Sequence, residues 1–396
     1  MDGIEKLASL KDCMEFETDD QARPTNPVRQ ASIDCPLSHS EENAQRVSPD
    51  LPIYRAALPN GQRTPILKTL LTSACEKNCY YCSFRAGRDF RRVTFKPDEL
   101  AKTYLDLFQR GVARGMFLSS GVAGGGVRTQ DRLLATAEVL RNTLDYKGYL
   151  HLKIMPGAER AQVERAMQLA DRVSINLEAP NGERLARLAP QKGFIEELLT
   201  PLKWVEEIRS SQYPARNWKN RWPSSTTQFV AGGSGESDAE LLQTSDYLHK
   251  SLRLARVYFS GFKPVSGTPL ENEPAINPWR QNRLYQADFL LRDYSFDYEE
   301  FPFDVSGNLP LEVDPKLAWA HQHLQNSPVE LNRAELQDLL HVPGIGPRGA
   351  RAILNARRKN LLHRLEDLKA LGIYTKRAAP FILIDGRQPA SQLSLF

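Results

Sequence analysis

Cys75, Cys79 and Cys82 put three thiols within eight residues, in the run Cys75-Glu76-Lys77-Asn78-Cys79-Tyr80-Tyr81-Cys82. Thiolates are soft ligands that suit iron–sulfur clusters and zinc. A structural zinc site takes four protein ligands, usually as two separated pairs, and no fourth Cys or His stands near this run. Three thiolates on a four-iron cluster leave one iron open, so that a second molecule can chelate it. Cys13 and Cys35 stand alone and read as unliganded thiols. Five cysteines, three of them crowded together, do not form a secreted disulfide framework. A reducing compartment fits, and the cytoplasm is the expected location. The polar, acidic start of the chain is not a secretory leader, and no apolar run reaches the length of a membrane span.

Other groups able to bind a ligand recur downstream. Ser119, Ser120 and Gly121 open a small-residue run that continues to Gly126. Asn176 and Glu178 are two apart, so on a strand they share a face, with Leu177 on the other. A buried glutamate there would need a partner, or Glu178 could serve as a cap before Pro180-Asn181-Gly182. Lys153 could meet a carboxylate or merely extend its amine to solvent. Gly232 and Phe262 lie in two further runs of the same kind. Arg85, Arg88, Arg91 and Arg92 follow the cysteines and read as a phosphate or carboxylate contact or as a solvated face. The stretch from Arg216 to Trp222 could stack an unpaired base or anchor a loop.

Short apolar runs at 66–71, 115–119, 149–155, 172–177, 226–231 and 256–261 alternate with helical patterns at 97–109, 129–144, 158–170, 182–188 with 195–210, and 237–251. Strands separated by helices predict βαβ units on a parallel sheet. Six units suggest a partial (β/α)6 barrel over residues 56–270, with ligands at the carboxyl ends of its strands, where the groups above fall. Residues 1–55 read as an irregular extension, with at most a short helix at its start. Residues 271–330 read as a segment packing on the barrel, with a helix near 279–292. Residues 331–385 form a small all-α domain and 386–396 a flexible tail. The 41% hydrophobic content is enough for a sizeable core, and the net charge is +4. Residues 331–380 hold ten Lys/Arg against four Asp/Glu, a surplus of six positive charges that leaves the rest at −2. That asymmetry points to a polyanionic partner for the C-terminal region.

The three-then-two cysteine spacing after a barrel strand resembles the signature of the radical S-adenosylmethionine (SAM) superfamily. The resemblance implies a radical SAM barrel with a [4Fe–4S] cluster on Cys75, Cys79 and Cys82, its open iron taken by the amino and carboxylate groups of SAM. It implies that one electron from a donor cleaves SAM to a 5′-deoxyadenosyl radical, which abstracts hydrogen from a substrate. It places Tyr81 beside the adenine, Ser119, Ser120 and Gly121 at the methionine amino group, and Asn176 and Glu178 at the ribose. It brings the backbone at Gly232 close to adenine, and makes Phe262 and the Pro–Gly–Thr residues after it the closing segment. No residue is singled out as catalytic.

Residues 339–354 resemble a helix–hairpin–helix motif, with Pro343-Gly344-Ile345-Gly346 as the hairpin and Arg348 and Arg351 beside it. A weaker copy spans 365–377. Such a motif meets DNA phosphates through backbone amides at a helix N-terminus without reading sequence. The ending Gln392-Leu393-Ser394-Leu395-Phe396 resembles the short motif that docks bacterial proteins on the replication sliding clamp. Taken together, residues 55–385 resemble the DNA modification or repair radical SAM proteins, which implies a uracil-DNA-glycosylase-like partner. The expected reaction is on a nucleotide in DNA. RNA as substrate, or a clamp-tethered DNA-binding scaffold with a structural cluster, are the competing readings.

Overall fold

The computed structural model describes residues 1–14, 51–57, 62–214 and 217–389. Cys35, Arg216 and the tail residues Gln392, Leu393, Leu395 and Phe396 lie outside these. The chain divides into two units, residues 1–236 with 250–276, and residues 237–249 with 277 onward.

The first unit is built on one seven-stranded sheet: β1 (Ile53–Ala57), β2 (Arg63–Leu70), β3 (Gly115–Ser119), β4 (Tyr149–Lys153), β5 (Arg172–Ser174), β6 (Ser224–Ala231) and β7 (Arg256–Gly261), in chain order across the sheet. From β2 to β7 every neighbour is parallel. Met116, Leu118, Leu150, Leu152 and Val173 are fully buried, as expected where helices cover a parallel sheet. The six expected strands are all present. A seventh, β1, pairs antiparallel with β2, Ile53 opposite Leu67. It falls in the stretch read as irregular, because five residues with an arginine in the middle carry little strand signal.

The helices between the strands are α2 (Pro97–Gln109), α3 (Gly126–Glu138), α4 (Arg160–Leu169), α5 (Gly182–Leu188) and α6 (Thr200–Ser211), with α7 (Asp238–Leu252) before β7. In α2 the cause is plain in the residues. Pro97 opens the first turn, Glu99 accepts the Lys96 amide at 3.1 Å, and Leu100, Ala101, Tyr104 and Leu107 make one buried stripe. The first residues form α1 (Gly3–Met14), whose Leu7 and Leu10 are buried.

The second unit holds residues 237–249, most of α7, with α8 (Pro278–Asp293), α9 (Pro315–His323), β8 (Val329–Glu330), α10 (Leu336–His341), α11 (Pro347–Arg357), α12 (Leu365–Ala370), α13 (Thr375–Ala378) and β9 (Ile382–Leu383). Residues 277–330, part of the stretch 271–330 that the sequence sets apart as a separate connecting segment, fall within this second unit. The unit is not wholly helical, since β8 and β9 pair in parallel. Its core gathers Leu331, Leu339, Ile345, Ile353, Leu368 and Phe381.

Candidate functional site

The cysteine run follows β2 and is fastened on two sides. On the β3 side, Leu71 donates its amide to the Ser119 carbonyl at 2.8 Å, Gly121 to Thr72 at 2.7 Å, and Glu76 to Val122 at 2.7 Å. The Glu76 carboxylate in turn accepts the amides of Gly124 and Gly125 at 3.0 and 3.1 Å. A Cβ on Gly121 would stand 2.3 Å from the Ala74 carbonyl oxygen, so only glycine lets the two loops approach this closely. On the other side the run meets the residues after α5. Tyr80 donates to the Leu188 carbonyl at 2.7 Å, Asn78 to Gln191 Oε1 at 3.1 Å, and Lys77 Nζ to the Gln191 carbonyl at 3.0 Å and to Glu197 at 3.2 Å.

These loops wall a cavity at the carboxyl ends of the strands, with about 1230 Å³ of space including the part open to solvent. Cys75, Cys79, Cys82 and Tyr81 line one side. Ser119, Ser120 and Gly121 line the next. Lys153, Asn176, Glu178, Lys192 and Phe262 complete the wall. Of the expected SAM contacts, only Gly232 is missing from it; a Cβ there would face Ile276 at 3.0 Å. Ser120 Oγ donates to the Gly121 carbonyl at 2.8 Å, so this hydroxyl is spent within its own loop.

Asn176 and Glu178 reach the cavity by a route other than the expected one. β5 ends at Ser174, and Glu178 sits at φ +65°, in the left-handed region. It is held there by its amide to the Gln228 carbonyl at 3.0 Å and by the Val230 amide to its own carbonyl at 2.7 Å. Asn176 Nδ2 lies 3.5 Å from Glu178 Oε2. The partner that a buried glutamate requires is Lys192, whose Nζ donates to Oε1 at 2.8 Å. Cap chemistry for the following helix belongs to Asn181, which accepts the Arg184 amide at 2.9 Å.

The cavity's electrostatics follow from this pair. Burial alone would raise the Glu178 carboxyl, but Lys192 and then Lys153 outweigh it and hold it below the usual range. Burial would lower the Lys192 ammonium, yet Cys79 and Glu178 keep it above its ordinary value. Burial, and then the Glu178 carboxylate that the Tyr81 hydroxyl hydrogen-bonds, push that hydroxyl up. Burial raises the Cys79 thiol and pushes the Cys82 thiol up to about 12. Lys192 was not visible as a site residue in the sequence, because it lies in the loop after α5 and carries no motif of its own.

Among the described residues no three His, Cys, Asp or Glu side chains gather as a site for a single ion. The three thiols, all unpaired, lie along the cavity wall. Soft thiolates in this number, beside buried ammonium groups that offset their charge, suit an iron–sulfur cluster.

Two of the four arginines after the cysteines, Arg88 and Arg92, are engaged within the loop itself. Arg92 and Arg88 turn their guanidinium groups onto backbone carbonyls of the loop. Trp218 packs flat against Arg141, the guanidinium carbon 3.6 Å from the ring centre, and Trp222 Nε1 donates to the Gln212 carbonyl at 3.1 Å. Both tryptophans are loop anchors.

In the second unit the turn 342–346 joins α10 to α11. Pro343 and Ile345 are buried, and the Ile345 carbonyl accepts Lys316 Nζ at 2.6 Å. Gly344 stands at φ +86°, where a Cβ would lie 2.7 Å from the Tyr374 carbonyl oxygen. The weaker copy, α12 and α13, therefore packs against the first. Gly346 precedes α11, whose first turn carries exposed Arg348, with exposed Arg351 one turn on.

No helix among the described residues is long and apolar enough to cross a membrane. Residues 69–248 match the sequence profile of the Radical SAM superfamily. An uncharacterised protein of Methanocaldococcus jannaschii is 23% identical over 222 residues, covering 53% of this chain and 52% of the relative, so the chain spans about half the length of the curated relative it matches. The FeFe-hydrogenase maturase HydG from Carboxydothermus hydrogenoformans superposes with a TM-score of 0.45 at 16% identity, over 57% of this chain and 51% of that one. Methylornithine synthase (PylB) gives 0.45 at 13%, over 57% and 61%. The three cysteines on the cavity wall lie inside the matched segment, and residues 69–248 are similar to the radical SAM domain of enzymes that use a [4Fe–4S] cluster and S-adenosylmethionine.

Proposed function

We propose that this chain cleaves SAM reductively and acts on a nucleotide in DNA, in modification or repair. The observation that carries the first half is that three thiols and a buried carboxylate–ammonium pair all line one cavity within the matched segment. The cluster, when bound with SAM, supplies one-electron chemistry at the sulfonium that starts a radical reaction. Cys75, Cys79 and Cys82 would hold it. Asn176 and Glu178 offer an amide and a carboxylate to ribose hydroxyls. Lys153 offers an ammonium to the methionine carboxylate, and the loop at 119–121 offers backbone to its amino group. Tyr81 and Phe262 wall the cavity with rings and keep water from the reacting centre.

The DNA half rests on the turn 342–346 and the N-terminus of α11. Backbone amides there, with Arg348 and Arg351 exposed beside them, suit a phosphate. We read this as a helix–hairpin–helix unit that grips duplex DNA without sequence preference while the barrel receives an exposed or flipped nucleotide. The sliding clamp, through residues 392–396, and a uracil-DNA-glycosylase-like protein are the partners we propose, together with a one-electron donor.

The test is anaerobic. The cluster is reconstituted, SAM and a reductant are added, and 5′-deoxyadenosine is quantified with and without duplex DNA carrying assorted base lesions. Release stimulated by one such DNA supports the reading. Equal stimulation by RNA would redirect it to RNA. An intact, reduced cluster that never cleaves SAM would leave a DNA-binding scaffold.

A further inference from the structure

The loop that follows the last cysteine has no regular secondary structure, yet several of its carbonyls are held by arginine side chains. Arg92 Nη1 donates to the carbonyls of Ser73 and Phe84, both at 2.7 Å. Its Nη2 donates to those of Arg85 at 2.8 Å and Arg88 at 3.2 Å. The guanidinium lies on the face of Phe90, its carbon 3.7 Å from the ring centre. Four carbonyls from two segments thus converge on one planar fork, a geometry that lysine cannot reproduce. Ser73 stands just before the first cysteine, and Phe84, Arg85 and Arg88 just after the last, so Arg92 ties the two ends of the cysteine run together. Arg88 extends the tie. Its Nη1 donates to the Ser83 carbonyl at 2.9 Å, and its Nε to the Ser266 carbonyl, beyond β7, at 3.0 Å.

We propose that Arg92 is a positioning residue for the iron–sulfur cluster: it closes the cysteine run into a preset loop, so that the three thiols stand ready before any metal arrives. The inference rests on the cluster reading for its consequence but not for its geometry. A loop held open only by the metal would lose its order on metal removal and would have to refold at each insertion. A loop closed by Arg92 keeps its shape in the apo chain and holds all three ligands at once, which slows iron loss. It also fixes the surroundings of the cluster, and so its spectroscopic signature.

The experiment compares the full chain with Arg92→Met and Arg92→Lys. In the apo proteins, hydrogen exchange is read peptide by peptide over residues 73–92. In the anaerobically reconstituted proteins, iron retention against a chelator and the electron paramagnetic resonance spectrum of the reduced cluster are recorded. Arg92→Met is expected to speed apo-loop exchange at least tenfold while the helices α2 to α4 stay protected. It should also speed iron loss by a similar factor and broaden or split the resonance. Arg92→Lys should fall between. If Arg92→Met does not fold, Arg92→Lys and Phe90→Leu, which removes the ring beneath the guanidinium, are judged by the same readouts. Native-like apo exchange over 73–92 in the variants, or a native spectrum with native iron retention, overturns the proposal. A native chain that takes up no cluster overturns the cluster reading instead, and the apo-exchange comparison still decides what Arg92 does to the loop.

Discussion

Lys192 Nζ meets Glu178 Oε1 at 2.8 Å with side chains only 9% and 6% exposed, an ion pair formed almost entirely out of solvent. Such a pair is costly to break from one side, since the survivor is a buried, uncompensated charge. Glu178→Gln or Lys192→Met alone should lower the apo chain's stability by ~3–5 kcal/mol, whereas the double replacement should cost less than the sum. Urea unfolding of the three variants checks this. Strict additivity would mean that the two side chains do not depend on one another.

The Cys82 thiol, pushed up to about 12 by burial, stays protonated in the apo chain near neutral pH. Only the thiolate attacks an alkylating reagent. Alkylation of Cys82 should therefore climb about tenfold per pH unit until close to pH 12. The unfolded chain, with a thiol near 9.0, ionises first, so between 9 and 12 rising pH favours unfolding and the apo fold weakens. A rate that levels off near pH 9, measured by mass spectrometry of the Cys82 peptide, would contradict this.

Lys316 illustrates the opposite sign. Burial, helped by Arg377, pushes its ammonium down to about 7 from an ordinary 10.5. Between those values the unfolded state binds more protons than the folded one, so stability rises with pH across that window. Well below pH 7 both states are protonated, and the full cost of the buried charge is present. Each unit of the depression is worth ~1.4 kcal/mol. Lys316→Met should remove this pH dependence, in urea unfolding read by hydrogen exchange over 315–357. A native chain whose stability relative to the variant is flat from pH 7 to 10.5 would refute the assignment.

Arg348 and Arg351 are exposed beside the N-terminal turn of α11. If each meets one phosphate, Arg348→Gln and Arg351→Gln should each weaken duplex binding across all sequences alike. Each should also reduce the slope of log affinity against log salt by about 1. Gly344→Ala should weaken binding further, because at φ +86° its methyl group would collide with the Tyr374 carbonyl. Fluorescence anisotropy over a salt series provides the slopes, and unchanged slopes would remove the two arginines from the interface.

The parallel strands were readable because each is a buried apolar run between helical patterns, and the cysteines because their spacing admits few chemistries. What escaped the sequence depends on contacts between distant segments. Glu178 shares no strand face with Asn176, because the backbone leaves β5 at Ser174 and turns left-handed; that turn is set by hydrogen bonds to Gln228 and Val230 some fifty residues on. Lys192 has no local pattern and acquires its meaning only when the loop after α5 folds against the cysteine run. Arg88 and Arg92 read as an anion contact or a solvated face because charge is visible in a sequence and backbone acceptors are not. β1 was missed since its neighbour β2, rather than its own composition, makes it a strand.

The fastenings of the cysteine run also have an order in time. Lys77 waits for Gln191 and Glu197, 114 and 120 residues later, and Arg88 for Ser266, 178 residues later. At synthesis rates of about 5–20 residues per second, the last of these partners leaves the ribosome roughly 10–35 s after the cysteines. Throughout that interval the three thiols ride on an unfinished sheet, open to oxygen and stray metals. Metal loading therefore belongs after translation, and nascent chains stalled before Ser266 should yield their thiols to a reagent that the completed chain resists.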